Sequence, residues 1–108
     1  MPSKIELRRY KTPEGQVPFS IWLAAQDNAI GARVRAYVDR MRTGNLGRSR
    51  PVGHGVSELK INVGPGYRIY HLHDGDAIVV LLCAGDKGSQ HADIRRAHEY
   101  AADYWRRK

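Results

Sequence analysis

The chain has one cysteine, Cys83, one phenylalanine and two tryptophans in 108 residues, and its 11 Asp+Glu are outnumbered by 18 Lys+Arg. A lone cysteine excludes an intramolecular disulfide framework and a cysteine-based zinc site, and it fits a reducing compartment. No apolar run approaches the ~20 residues that a membrane span requires. The first ten residues, MPSKIELRRY, lack the apolar segment of a signal peptide. These absences predict a cytoplasmic protein with no membrane association. The length suits a single domain over residues 1–108, and no repeat, low-complexity tract or linker interrupts it.

Arginine is what the sequence has in excess. It supplies 13 of the 18 cations, and the formal net charge is +7. Residues 1–54 carry 10 basic and 4 acidic side chains, whereas residues 55–108 carry 8 and 7. Between positions 33 and 50, Arg33, Arg35, Arg40, Arg42, Arg48 and Arg50 face only Asp39. The planar guanidinium fork grips phosphate in two-pronged contacts, so this distribution predicts a polyanionic partner, with Arg33, Arg40, Arg42, Arg48 and Arg50 as candidate RNA contacts. A solvated charged face accounts for the same run.

Hydrophobic periodicity predicts an α+β fold. Residues 4–10 alternate Ile5 and Leu7 with charged neighbours, the period of a half-buried strand. Thr12-Pro13-Glu14-Gly15 is turn chemistry, and Pro18 suits the first turn of a short helix carrying Phe19, Trp22 and Leu23 at i, i+3, i+4. Asp27 or Asn28 can cap a second helix whose Ile30, Val34, Tyr37, Val38 and Met41 form one apolar stripe. A Gly- and Arg-rich loop from Asn45 to Gly55 follows. Leu59, Ile61 and Val63 then alternate with polar residues, Gly64-Pro65-Gly66 makes a hairpin loop, and YRIYHL is its second strand. Asp74-Gly75 suits a two-residue turn into the apolar strand Ala77–Cys83, the expected sheet centre. Ser89 can cap a last helix, in which Ile94, Ala97, Ala101, Tyr104 and Trp105 recur at helical spacing and Asp103 meets Arg107 at i, i+4. The predicted order is β-α-α-β-β-β-α, a mostly antiparallel sheet packed by helices as one layer pair.

With Gly64-Pro65-Gly66 as the loop, Val63 opposes Tyr67, Asn62 opposes Arg68 and Lys60 opposes Tyr70. Parity gathers Lys60, Asn62, Arg68 and Tyr70 on one face, joined by Glu58 if the strand starts early enough. The register carried through Asp74-Gly75 sets Val79 beside Tyr70 and Leu81 beside Arg68, and the strand's continuation points toward Lys87. Arg68 can grip a phosphate and Tyr70 can stack on a base, so the cluster suits a phosphodiester. An edge-strand charge ladder with an ordinary cross-strand aromatic explains the same residues.

The pieces Glu58-Leu59-Lys60-Ile61, Gly66-Tyr67-Arg68-Ile69-Tyr70, Asp74-Gly75-Asp76, Gly85-Asp86-Lys87, Ser89-Gln90 and Asp93-Ile94, in this order and spacing, resemble the RelE/ParE toxin superfamily. The closer similarity is to its HigB-like branch of addiction-module killer proteins, and the entry helix Pro18-Phe19-Ser20-Ile21-Trp22-Leu23 extends it over nearly the whole chain. The resemblance implies a RelE-like domain acting as the toxin of a type II toxin–antitoxin pair. Its expected partners are a helix-turn-helix, HigA-like antitoxin and the ribosome with its mRNA. It also implies an endoribonuclease needing no metal and no cofactor, in which a ribose 2′-hydroxyl attacks the adjacent phosphate. Arg68 matches the arginine that stabilises the transition state and Lys60 the first strand lysine, a candidate base. Asn62 stands where better-known members carry a second lysine, and Gln90-His91 where they place a stacking tyrosine. The alternatives are a non-enzymatic ParE-like toxin acting on DNA gyrase, or a basic nucleic-acid-binding module.

His91, as a histidine, is a candidate proton shuttle beside Lys60, Arg68 and Lys87. His71-Leu72-His73-Asp74 sets potential ligands close together, but no further ligand set with recognised spacing accompanies it, and no metal site is expected. Cys83 sits in the apolar strand as a small buried hydrophobe.

Overall fold

The apolar run of the second half forms the strand around which the other elements assemble in the computed structural model, which describes residues 4–108. The order is β1 (Glu6–Arg9), α1 (Pro18–Ala24), α2 (Asn28–Met41), β2 (Ser49–Gly53), β3 (Val56–Ile61), β4 (Tyr67–Asp74) and β5 (Ile78–Asp86). A 3₁₀ turn at Lys87–Ser89 then leads into α3 (Gln90–Arg107). These elements make an α+β fold on a five-stranded mixed sheet ordered β1-β5-β4-β3-β2. β1 runs parallel to β5, and the remaining neighbours are antiparallel.

The sheet carries apolar side chains on both faces, so both are covered. Leu59, Ile61, Ile69, Val79 and Leu81 meet Phe19, Leu23, Val34, Val38 and Met41 of α1 and α2. Val56, Tyr70, Leu72, Val80 and Leu82 meet Ala97 and Ala101 of α3. The expected single layer pair is thus corrected to three layers, with β5 buried on both sides. The α2 stripe forms as its spacing predicts, and the Asp27 side chain caps the helix by accepting from the Ile30 N–H at 2.9 Å. No helix among the described residues is long and apolar enough to cross a membrane.

Four further expectations are corrected. The Arg-rich stretch before β3 is not wholly loop, because Ser49–Gly53 pairs with β3 as an edge strand. Pro51 and the polar composition hide it from a pattern search, and an edge position tolerates both. The β3–β4 hairpin is shifted by two residues, with Ile61 opposite Tyr67 and Lys60 opposite Arg68, so Asn62 and Val63 belong to the loop. In β4–β5 the turn takes up residues 75–77, and a bulge at Leu82 sets Cys83 beside Tyr70 and Gly85 beside Arg68. Finally, Ser89 does not cap α3 through its side chain. Asp86 accepts from the Ser89 N–H at 3.1 Å, and Ser89 Oγ reaches Asp93 Oδ2 at 2.5 Å.

Candidate functional site

Cross-strand pairing brings Lys60 and Arg68 together, and the next pair on the same face is Glu58 with Tyr70. The hairpin loop and the 3₁₀ turn close a pocket of about 330 Å³ lined by Lys60, Asn62, Gly64, Pro65, Gly66, Arg68 and Lys87. Three cations and no carboxylate line it. Gly66 takes a positive φ of 88°, the backbone conformation that makes glycine the residue for this turn.

Arg68 is only 6% exposed, yet its Nε and Nη1 hydrogen-bond to no protein group. The nearest carboxylate oxygen, Glu58 Oε2, lies 3.8 Å from Nε, beyond hydrogen-bond reach. Leaving buried N–H donors unpartnered carries a penalty of about 1–3 kcal/mol, more for a charged group.

Glu58, itself buried, sits behind Arg68 and is held by three donors at 3.0 Å: Arg50 Nε from β2, Tyr70 Oη from β4 and Gln90 Nε2 from α3. Burial by itself raises its pKa, but the bonds from Gln90, Arg50 and Tyr70 outweigh burial and hold the carboxyl below its usual range. Burial and the Glu58 charge push the Tyr70 phenol well above its ordinary value, keeping it a donor.

The residues expected at the site separate accordingly. Lys60, Arg68 and Lys87 share the pocket. His91 lies exposed in the first turn of α3 and does not line it. Tyr70 has no exposed surface, so the expectation that it stacks on a base is corrected: its ring fills the core and its hydroxyl holds Glu58. Arg50 is ion-paired to Glu58. Arg33 and Arg40 flank Tyr37 around a shallow pocket on α2, with the Arg40 guanidinium 4.7 Å from the ring centroid. Arg42 faces Asp39 at 3.7 Å, and Arg48 is exposed before β2. These α2 arginines stand across the sheet from Arg68 and form a separate cationic region.

No protein-family model matches the chain. Over 80 residues it is 39% identical to an uncharacterized protein of Haemophilus influenzae, a stretch covering 73% of this chain and 81% of that protein. The chain belongs to that protein's family.

Other titratable groups stand apart from the pocket. Among the described residues no three His, Cys, Asp or Glu side chains are placed to hold a metal ion. His71 and His73 lie with ring centroids 5.7 Å apart, His71 fully buried and His73 exposed. Burial pushes the Cys83 thiol up to about 12, which removes its thiolate as a nucleophile near neutrality. The sequence left Gln90 outside the candidate site and admitted Glu58 on condition that the strand starts early enough, which β3 does. Strand parity already set Glu58 on the right face, but only the docking of α3 shows that Gln90 reaches it.

Proposed function

We propose that this protein is the toxin of a type II toxin–antitoxin pair, a HigB-like member of the RelE/ParE superfamily that cuts ribosome-bound mRNA in the cytoplasm. The observation that carries the reading is Arg68, buried and without a protein hydrogen bond at Nε or Nη1, lining one pocket with Lys60 and Lys87 and no carboxylate. A site built only to bind a strand has little need of a buried cation held short of its carboxylate. A site that meets growing negative charge on a phosphorane does. The β3–β4–β5 meander and its flanking helices agree with a RelE-like domain, with β2 as an additional edge strand.

In this scheme the ribose 2′-oxygen attacks the adjacent phosphorus and the bond from phosphorus to the 5′-oxygen breaks. The products are a 2′,3′-cyclic phosphate and a 5′-hydroxyl. Arg68 stabilises the charge on the non-bridging oxygens from the pocket wall. Lys60 and Lys87 move the protons, one off the 2′-hydroxyl and one onto the departing 5′-oxygen. Glu58, fixed by three donors, orients Arg68 from behind. The partners in the cell are a helix-turn-helix antitoxin, the ribosome and mRNA.

The test is cleavage of mRNA on purified ribosomes by the wild-type and Arg68→Ala proteins. Loss of one preorganised donor lowers the rate about 10² to 10³-fold. Arg68→Lys is also impaired, since a point charge cannot make the two-pronged contact. An Arg68→Ala protein that cuts at the wild-type rate, or wild-type products ending in a 3′-hydroxyl, refutes the assignment.

A further inference from the structure

A second cationic pocket lies at the other end of α3, outside the cluster just described. Arg8, Arg9, Tyr10 and Lys11 meet Tyr104, Arg107 and Lys108 over Val80 around a volume of about 310 Å³. Five of its eight lining residues are cations and none is acidic. Three of the cations are already neutralised: Arg8 by Glu6 at 2.5 Å, Arg107 by Asp103 at 2.7 Å and Lys108 by Asp74 at 2.7 Å. Arg9 and Lys11 form no ion pair among the described residues. Of these two, Arg9 lies on the α1 side of the sheet with Leu7 and turns its guanidinium away from α3, donating to Ser20 Oγ at 2.8 Å and standing 5.0 Å from the Phe19 ring centroid, so Lys11 is the uncommitted cation of the pocket. Arg107 Nη2 donates to the Lys11 carbonyl, which fixes the loop that presents Lys11.

Beside the pocket stands an aromatic surface that packing does not explain. Trp105 is 45% exposed, edge-on to Tyr104 at 5.2 Å, with the Lys108 ammonium 5.5 Å from its ring. Cations for phosphates and an open ring for a base are what single-stranded nucleic acid requires, whereas an acidic protein uses only the cations.

We propose that this pocket is a second RNA-backbone subsite, holding the strand whose scissile phosphate lies at Arg68. The inference rests on the RNA-cutting reading and extends it along the molecule. The 18 residues of α3 span ~27 Å, with Lys87 just before one end and Arg107 and Lys108 at the other. At a rise of ~3.4 Å per nucleotide of stacked strand, that separation corresponds to roughly eight nucleotides. Length therefore discriminates: a strand of about 4 nucleotides reaches one pocket, and one of about 12 reaches both.

The experiment measures binding of uncleavable 2′-O-methyl oligoribonucleotides of these two lengths across a salt series, with Trp105 fluorescence as a second readout. The Lys11→Gln protein binds the long oligomer several-fold more weakly, and its log–log salt slope flattens by roughly 0.7 for the phosphate that is no longer neutralised. It binds the short oligomer as the wild type does, and Lys11→Arg restores the long one. A Lys11→Gln protein that binds both lengths like the wild type overturns the subsite, as does a wild type that binds neither. A polyglutamate peptide held through Lys11 in place of the long oligomer overturns it in favour of an acidic protein. The two proposals fail separately. Binding of the long oligomer through Lys11 without mRNA cleavage removes the endonuclease assignment alone, and cleavage with no such dependence removes this subsite alone.

Discussion

His71 is fully buried with both ring nitrogens unpartnered, and it plays no part in the pocket. Burial, and then the neighbouring His73, lower its pKa to about 4. An unfolded chain takes up a proton at ~6.5, so below that value the unfolded state binds more protons than the folded one. The contribution to stability is complete above pH ~6.5 and is lost as the pH falls toward 4, about 3 kcal/mol in all. Urea denaturation of the wild type and His71→Leu at about pH 7.5 and about pH 4.5 isolates this group from the carboxylates that also titrate in acid. The wild type loses about 2.5 kcal/mol more than the variant over that interval. Equal losses in the two proteins exclude a buried neutral imidazole. A histidine in an alternating strand looks like a surface residue in the sequence. Its burial follows from the α1 and α2 layer on that face, which β4 alone does not disclose.

At the scale of the elements, parity was the most legible property and register the least. Shifting β3 against β4 by two residues leaves every side chain on the same face, so Lys60 and Arg68 share a surface in either register. Which residue stands opposite which depends on the loop length at 62–66 and the bulge at Leu82, and neither has a local signature. The bulge has a consequence for packing. It brings Gly85 beside Arg68, where α3 comes so close that a Cβ on Gly85 would overlap the Asp93 carboxylate and crowd Ser89 Oγ. Gly85→Ala therefore forces α3 away from β5 or breaks the Ser89–Asp93 hydrogen bond, and destabilises the fold by about 1–3 kcal/mol. Gly75→Ala acts differently, since Gly75 has open space but a positive φ of 73°, and only backbone strain opposes it. Thermal unfolding checks the pair: if a Gly85→Ala protein melts like the wild type, the close docking of α3 is wrong.

For the whole molecule, the sheet separates two cationic regions, the Arg68 pocket and the α2 arginines. The Arg68 pocket lies at the β3–β4 loop and the start of α3, while Arg33 and Arg40 project from α2, whose buried face covers the opposite side. The sequence set Arg68 apart from the arginines at 33–50 but grouped Arg50 with those of α2, whereas Arg50 pairs with Glu58 on the Arg68 side, because charge along a chain carries no information about which side of a sheet each element will cover. The division predicts separable roles. Arg33 and Arg40 are free of ion pairs among the described residues, unlike Arg42, which faces Asp39. Replacing both with Gln weakens ribosome association and lowers the salt slope by up to ~2, about one ion equivalent for each phosphate that the arginines neutralise. The cleavage rate at saturating ribosome does not change, since neither residue lines the Arg68 pocket. Kinetics on ribosomes at several salt concentrations resolve the two effects as a rise in KM with kcat constant. A fall in kcat instead would mean that the α2 face acts on the reacting phosphate, and an unchanged KM would mean that these arginines are solvated charge alone.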